Sequence, residues 1–208
     1  MTTPYTKKVI VTGFQPFAGH IWNPSADIAE KYNKQKIGAC QVIGLVLPCT
    51  YYGAFTMLSE HIDIEKPDAI ISLGLATSVQ KIRIETNFRN IMNGKYPDNE
   101  GYTPDNIPIK KGYPEFVSAT AHNTGLANML AEKNIPVELS GDANGFICNS
   151  LAYLTVKKIQ RDELTTRNMF IHIPWTNNYA EKVTLESGKT FLDIGLLYTA
   201  IEILIKNI

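Results

Sequence analysis

Short apolar runs alternate with longer amphipathic stretches along this chain. Lys8 to Thr12 is a brief β-branched run that Gly13 breaks. Cys40 to Leu47 and Asp68 to Leu73 are similar, closed by Pro48 and Gly74. Met169 to Ile173, closed by Pro174, is a fourth. Continuous apolar runs of this kind suit central strands covered on both faces. Helical patterns fall between them. Asn23-Pro24 predicts an N-cap with proline at the first helical position, and a helix to about Lys34. Further helices are predicted over Tyr51 to about Lys66, Thr124 to Asn134, Cys148 to Gln160 and Thr190 to Asn207. This alternation predicts an α/β fold, a three-layer sandwich. An open, twisted, mostly parallel (mixed) sheet should carry helices on both faces.

Val79 to Gly112 breaks the rhythm. It begins with an alternating segment, QKIRIE, and continues as a polar loop through PDNEG. A loop of that length in a compact domain is usually functional or mobile. With no repeat or linker, 208 residues predict a single domain over 1–208.

Composition narrows the partners. Twenty basic and twenty acidic residues cancel, with no run of like charge. That pattern favours neither nucleic acid nor an anionic membrane. A small or neutral partner fits better. The opening MTTPYTKKVIVTG has too short an apolar run for a secretory signal, and no stretch nears the roughly 18 apolar residues of a membrane span. The expected location is the cytoplasm. Three cysteines, Cys40, Cys49 and Cys148, do not make a disulfide framework. No CxxC pair or His-rich tract suggests a metal, and a reducing compartment would keep the thiols free.

Among the thiols, Cys148 has the setting of a nucleophile. It follows SGDANGFI and opens a helical pattern, with Gly141 and Gly145 allowing a sharp turn before it. The positive end of a helix favours thiolate. The unpaired N–H groups there suit an oxyanion. Cys40 and Cys49 flank a strand pattern and read as structural. Of the four histidines, His61 sits in a helical pattern and His20 and His122 in loops. His172 lies near the carboxyl end of a buried strand, where open α/β sheets place their ligands. Glu85 ends KIRIE and would suit the third member of a triad. Spacing alone does not raise it above Asp98, Glu100 or Asp142.

Several stretches then converge. They include VTGFQPFAG (Val11 to Gly19), NPS (Asn23 to Ser25), YYGAF (Tyr51 to Phe55) and KPDAII (Lys66 to Ile71). IRIET (Ile82 to Thr86), PDNEG (Pro97 to Gly101), FICN (Phe146 to Asn149) and FIHIP (Phe170 to Pro174) follow in order. In these the chain resembles the pyroglutamyl peptidase I, or pyrrolidone-carboxylate peptidase, family. The resemblance implies a cysteine peptidase that removes N-terminal pyroglutamate, without metal or organic cofactor. It places the nucleophile on Cys148, the base on His172 and the carboxylate on Glu85. It draws the substrate pocket from Phe14, Phe17, Asn23, the backbone near Leu75, Phe146 and Ile147, with Tyr96 beside them. The oxyanion would be held by the Cys148 N–H and Lys95. Small peptides are the implied partners and a homotetramer the implied assembly.

The pocket makes chemical sense. A pyroglutamyl ring is a neutral lactam with one N–H and one C=O. Its faces suit Phe14 and Phe17, and Asn23 can donate to the carbonyl. A proline ring would leave those polar partners unmatched. Read without the resemblance, Phe14 and Phe17 are also plausible core aromatics and Asn23 a plain helix cap. The chain departs from the family pattern at Ala18, at Leu75 to Ser78, at Lys95 and Tyr96, in the polar turn before Cys148 and at Trp175. Two alternatives follow: a thiol amidase or acyltransferase of altered specificity, and a non-catalytic binder of pyroglutamyl peptides.

Overall fold

The computed structural model describes residues 6–208. In chain order the elements begin with β1 (Lys7–Phe14), α1 (Pro24–Tyr32), β2 (Lys36–Ile37), β3 (Cys40–Leu47), α2 (Gly53–Glu65) and β4 (Ala69–Leu75). Then come β5 (Ile82–Glu85), β6 (Asn87–Arg89), β7 (Phe116–Ser118), α3 (Asn123–Glu132) and β8 (Val137–Ser140). The chain closes with α4 (Ile147–Arg161), β9 (Arg167–Ile173) and α5 (Ile194–Asn207). A seven-stranded sheet has the order β2-β3-β1-β4-β9-β5-β8. β3, β1, β4 and β9 are mutually parallel, whereas β5 runs antiparallel to β9 and parallel to β8. The mostly parallel, mixed sheet expected from the pattern is therefore present.

Strand periodicity sorts the core into two layers. Val9, Val11, Ile71, Leu73, Met169, Ile171 and Ile173 point to one face, under Ile28 of α1, Leu130 of α3 and Leu197 of α5. Ile10, Ile70 and Phe170 point to the other, under Leu58 of α2 and Leu151 of α4. Each buried aliphatic side chain contributes about 1.5–3 kcal/mol. On β9 the same alternation puts His172 on the Phe170 face, the side from which α4 approaches.

Two glycines expected to end strands do not. β1 runs on through Gly13 to Phe14, and β4 through Gly74 to Leu75. Both mark close approaches instead. A methyl group on Gly13 would lie 1.9 Å from the Ser25 carbonyl oxygen of α1. Helix starts follow their caps. Asn23 Oδ1 accepts from the Ser25 N–H at 3.1 Å. Asp193 Oδ1 accepts from the Leu196 N–H at 2.9 Å, so α5 begins after Asp193 rather than at Thr190. β2, β7 and β8 are short, partly exposed strands that the apolar pattern does not predict.

Candidate active site

The site lies at the carboxyl ends of β1, β4 and β9. β9 supplies His172, almost fully buried at 6% exposure, and β5 supplies Glu85 at 1%. The antiparallel register pairs Glu85 with Phe170, two residues from His172 on the same face. The imidazole Nδ1 lies 2.7 Å from Glu85 Oε1. The second carboxylate oxygen, Oε2, meets no hydrogen-bond donor among the described residues. A buried carboxylate so weakly solvated needs a charged partner. His172 and Cys148 line the same cleft, where the Cys148 charge acts on the imidazole. With Nδ1 turned to Glu85, Nε2 is the ring nitrogen left for the cleft. Burial works against the imidazolium, but the charges and hydrogen bonds of Cys148 and Glu85 outweigh it. His172 is thereby pushed up to about 9.

Cys148 enters at the start of α4. The N-cap is Phe146, whose side chain cannot cap. The first intrahelical turn begins when Asn149 and Ser150 donate to Phe146 O. Among the described residues, no protein acceptor takes the N–H of Ile147 or Cys148. Those donors therefore stand beside the sulfur at the positive end of the helix. The sharp turn before them takes its left-handed conformation at a residue other than Gly141 or Gly145. Asn144 occupies that region at φ 62°, with its N–H on Asp142 Oδ1 at 2.8 Å. Asparagine tolerates this conformation. Gly145 serves a close approach: its added Cβ would lie 2.8 Å from Asn93 Cβ.

A cleft of about 750 Å³ opens over the sulfur. Phe14, Phe17, Asn23, Leu75, Lys95, Tyr96, Phe146, Ile147, Cys148 and His172 all line it, so the sequence-derived set is gathered in one place. Glu85 stands behind His172. Phe17 and Phe146 meet with ring centroids 6.0 Å apart. Leu75 packs its side chain with Trp175 and Tyr179. Asn23 caps α1 through Oδ1, while its Nδ2 donates to Gln15 O at 3.1 Å. Lys95 Nζ lies 5.4 Å from the centre of the Tyr96 ring. The rival groups lie elsewhere. Asp98 binds backbone N–H groups, and Asp142 pairs with Arg89 at 3.5 Å. His61 sits on α2 and His122 before α3. Cys40 is buried away from the cleft; Cys49 borders the cleft but is buried, and burial together with the nearby Asp98 charge pushes its thiol up to about 12.

Three contributors were not singled out from sequence. A methyl group on Gly74 would sit 3.2 Å from Cys148 Sγ. Asn149 fixes the nucleophile's helix: its Oδ1 accepts from Arg89 N at 2.8 Å, and its Nδ2 donates to the carbonyls of Arg89 and Ile91. His20 joins the cleft wall with its ring 5.3 Å from Trp175. The FICN stretch was a signal for Asn149 and LGLA (Leu73 to Ala76) for Gly74; nothing local marked His20.

Comparison with known proteins agrees with this geometry. A family model described as pyroglutamyl peptidase matches residues 7–206. The chain belongs to the pyroglutamyl peptidase family. A pyrrolidone-carboxylate peptidase of Thermococcus kodakarensis is 33% identical over 201 residues, covering 97% of this chain and 95% of the relative. The solved pyrrolidone carboxyl peptidase of Thermococcus litoralis superposes with a TM-score of 0.91 at 31% identity, covering 96% of this chain and 92% of that one. Pyroglutamyl peptidase I of Bacillus amyloliquefaciens gives a TM-score of 0.89 at 29% identity, covering 97% and 96%.

Proposed function

We infer that this protein is a cysteine peptidase that hydrolyses the amide bond after an N-terminal pyroglutamyl residue and releases free pyroglutamate. The observation that carries the reading is the Glu85–His172 hydrogen bond placed beside Cys148, which stands at a helix N-terminus beneath an aromatic cleft.

In the proposed cycle, Glu85 orients His172 and balances its charge. The Cys148 thiol gives its proton to His172 as its sulfur attacks the pyroglutamyl carbonyl carbon. The Ile147 and Cys148 N–H groups and Lys95 hold the resulting oxyanion. As the C–N bond breaks, His172 gives its proton to the leaving amine, and a thioester remains. His172 then takes a proton from water, which attacks the thioester and frees pyroglutamate and the thiol. No step calls for a metal or organic cofactor. Phe14, Phe17, Phe146, Ile147 and Tyr96 shape the lactam pocket. The second Nδ2 hydrogen of Asn23 serves the lactam carbonyl, and the Leu75 main chain serves its N–H. The whole of 1–208 acts as one domain, on small peptides, in the cytoplasm, as a homotetramer. No helix among the described residues is long and apolar enough to cross a membrane.

Purified protein should release aminomethylcoumarin from its pyroglutamyl derivative and not from the prolyl one, and Cys148→Ala should release none. Transfer of the acyl group to an added amine in place of hydrolysis would favour an acyltransferase. Tight binding of pyroglutamyl peptides without turnover would favour a binder.

A further inference from the structure

The PDNEG stretch has no task in the cycle above, yet its segment bonds to both walls of the cleft. At one end the Asn93 N–H donates to Gly145 O at 2.8 Å, beside the turn into Cys148. At the other, the Asn99 N–H donates to Cys49 O at 3.0 Å. Asn99 Nδ2 donates to Pro16 O at 2.9 Å, one residue before Phe17. Lys95 and Tyr96, between these anchors, line the cleft.

The segment is stiff where it must be. Asp98, only 6% exposed, accepts from the N–H groups of Tyr51 at 3.1 Å, Glu100 at 2.9 Å and Tyr102 at 2.9 Å. A carboxylate satisfied by three backbone donors makes a firm anchor. The turn it restrains is weakly determined by itself. Ala18 and Gly19 both take positive φ, 50° and 78°, and alanine there is disfavoured by about 1–2 kcal/mol. Among the described residues, the only main-chain bond across that turn is His20 N–H to Phe17 O at 3.0 Å. Beside its packing on His20 and the Leu75–Trp175 cluster, what holds Pro16 therefore helps set the position of Phe17 against Phe146.

We propose that residues 93–102 are a strap that fixes Phe17 relative to Phe146, and that Asn99 is a specificity-determining positioning residue restricting the acyl pocket to a five-membered lactam. This rests on the pyroglutamyl reading of the cleft. Asn99 acts through Pro16 and Phe17 and touches no reacting atom.

The test compares wild type, Asn99→Ala and Asn99→Asp on pyroglutamyl-aminomethylcoumarin and on its six-membered-lactam homologue. Active sites are counted by stoichiometric alkylation of Cys148. Both variants should raise KM for the pyroglutamyl substrate about threefold, the effect of one lost amide–carbonyl hydrogen bond. Turnover per active site should stay within about twofold, and the preference for the five-membered ring should fall about threefold. An unchanged preference, even with both rates lowered together, would overturn the proposal alone. Inactivity of the wild type on the pyroglutamyl substrate would overturn the functional reading, and the strap proposal with it.

Discussion

Glu85 Oε1 approaches His172 Nδ1 to 2.7 Å inside the protein, and among the described residues the imidazole is the one hydrogen-bond partner of that carboxylate. Replacing the acid by an amide should therefore remove both an orienting bond and a compensating charge. Glu85→Gln is expected to lower kcat by roughly 10²- to 10⁴-fold, the range for general acid–base groups. KM for a pyroglutamyl substrate should change much less. Steady-state kinetics on the folded variant checks this.

The pH dependence follows from the same pair. His172 must carry a proton to release the amine, and its neighbours push it up to about 9. Activity should fall as pH rises through about 9, because the imidazolium is lost there. In Glu85→Gln one of the interactions that raise His172 is gone, so the alkaline limb should move to lower pH. An NMR titration of the imidazole, followed beside the pH profile, reads both.

Thiol chemistry should be selective. Cys148 is partly exposed, while Cys40 and Cys49 are buried, and burial raises both of their thiols. Limited iodoacetamide should add one group, at Cys148, and abolish hydrolysis in proportion. Intact-mass and peptide-mass measurements would show this; labelling of Cys49 at a matching rate would contradict it.

Gly74 tests the packing around the nucleophile. A Cβ there would press on Cys148 Sγ at 3.2 Å and on the Phe170 ring at 3.1 Å. Gly74→Ala should cost about 1–3 kcal/mol of stability through overpacking. It should also lower kcat on the order of 10²-fold by displacing the sulfur. Denaturant titration and kinetics on the same sample separate the two effects.

Lys158 offers a change remote from catalysis. Its side chain is 3% exposed and its ammonium lies 2.7 Å from Asp63 and 2.9 Å from Asp162, tying α4 to α2. Lys158→Ala should remove about 2–3 kcal/mol of stability, measured by urea unfolding. kcat/KM at a permissive temperature should stay unchanged.

Much of this was legible in the sequence because the signals are local. Apolar runs mark β3, β4 and β9, and Asn23-Pro24 writes the start of α1. The position of Cys148 at a helix start could be read from FICN and the turn before it. Glu85 could not be chosen over Asp98 by such means. Its partner is 87 residues away, and only the antiparallel register of β5 on β9 brings the two together. Gly13 and Gly74 were misread for the same reason. A glycine that admits a helix or a sulfur looks, along the chain, like one that stops a strand. The short strands β2, β7 and β8 bury too little to leave a clear pattern.

The order of the sheet bears on how the chain assembles. β9 is the last strand of the described chain, yet it lies between β4 and β5. Until it is inserted, β2-β3-β1-β4 and β5-β8 are two separate ribbons, each with an open edge. The strand that joins them also carries His172. Sheet closure and assembly of the proton-transfer apparatus are thus one event, so a partly folded chain has no means of cutting peptides.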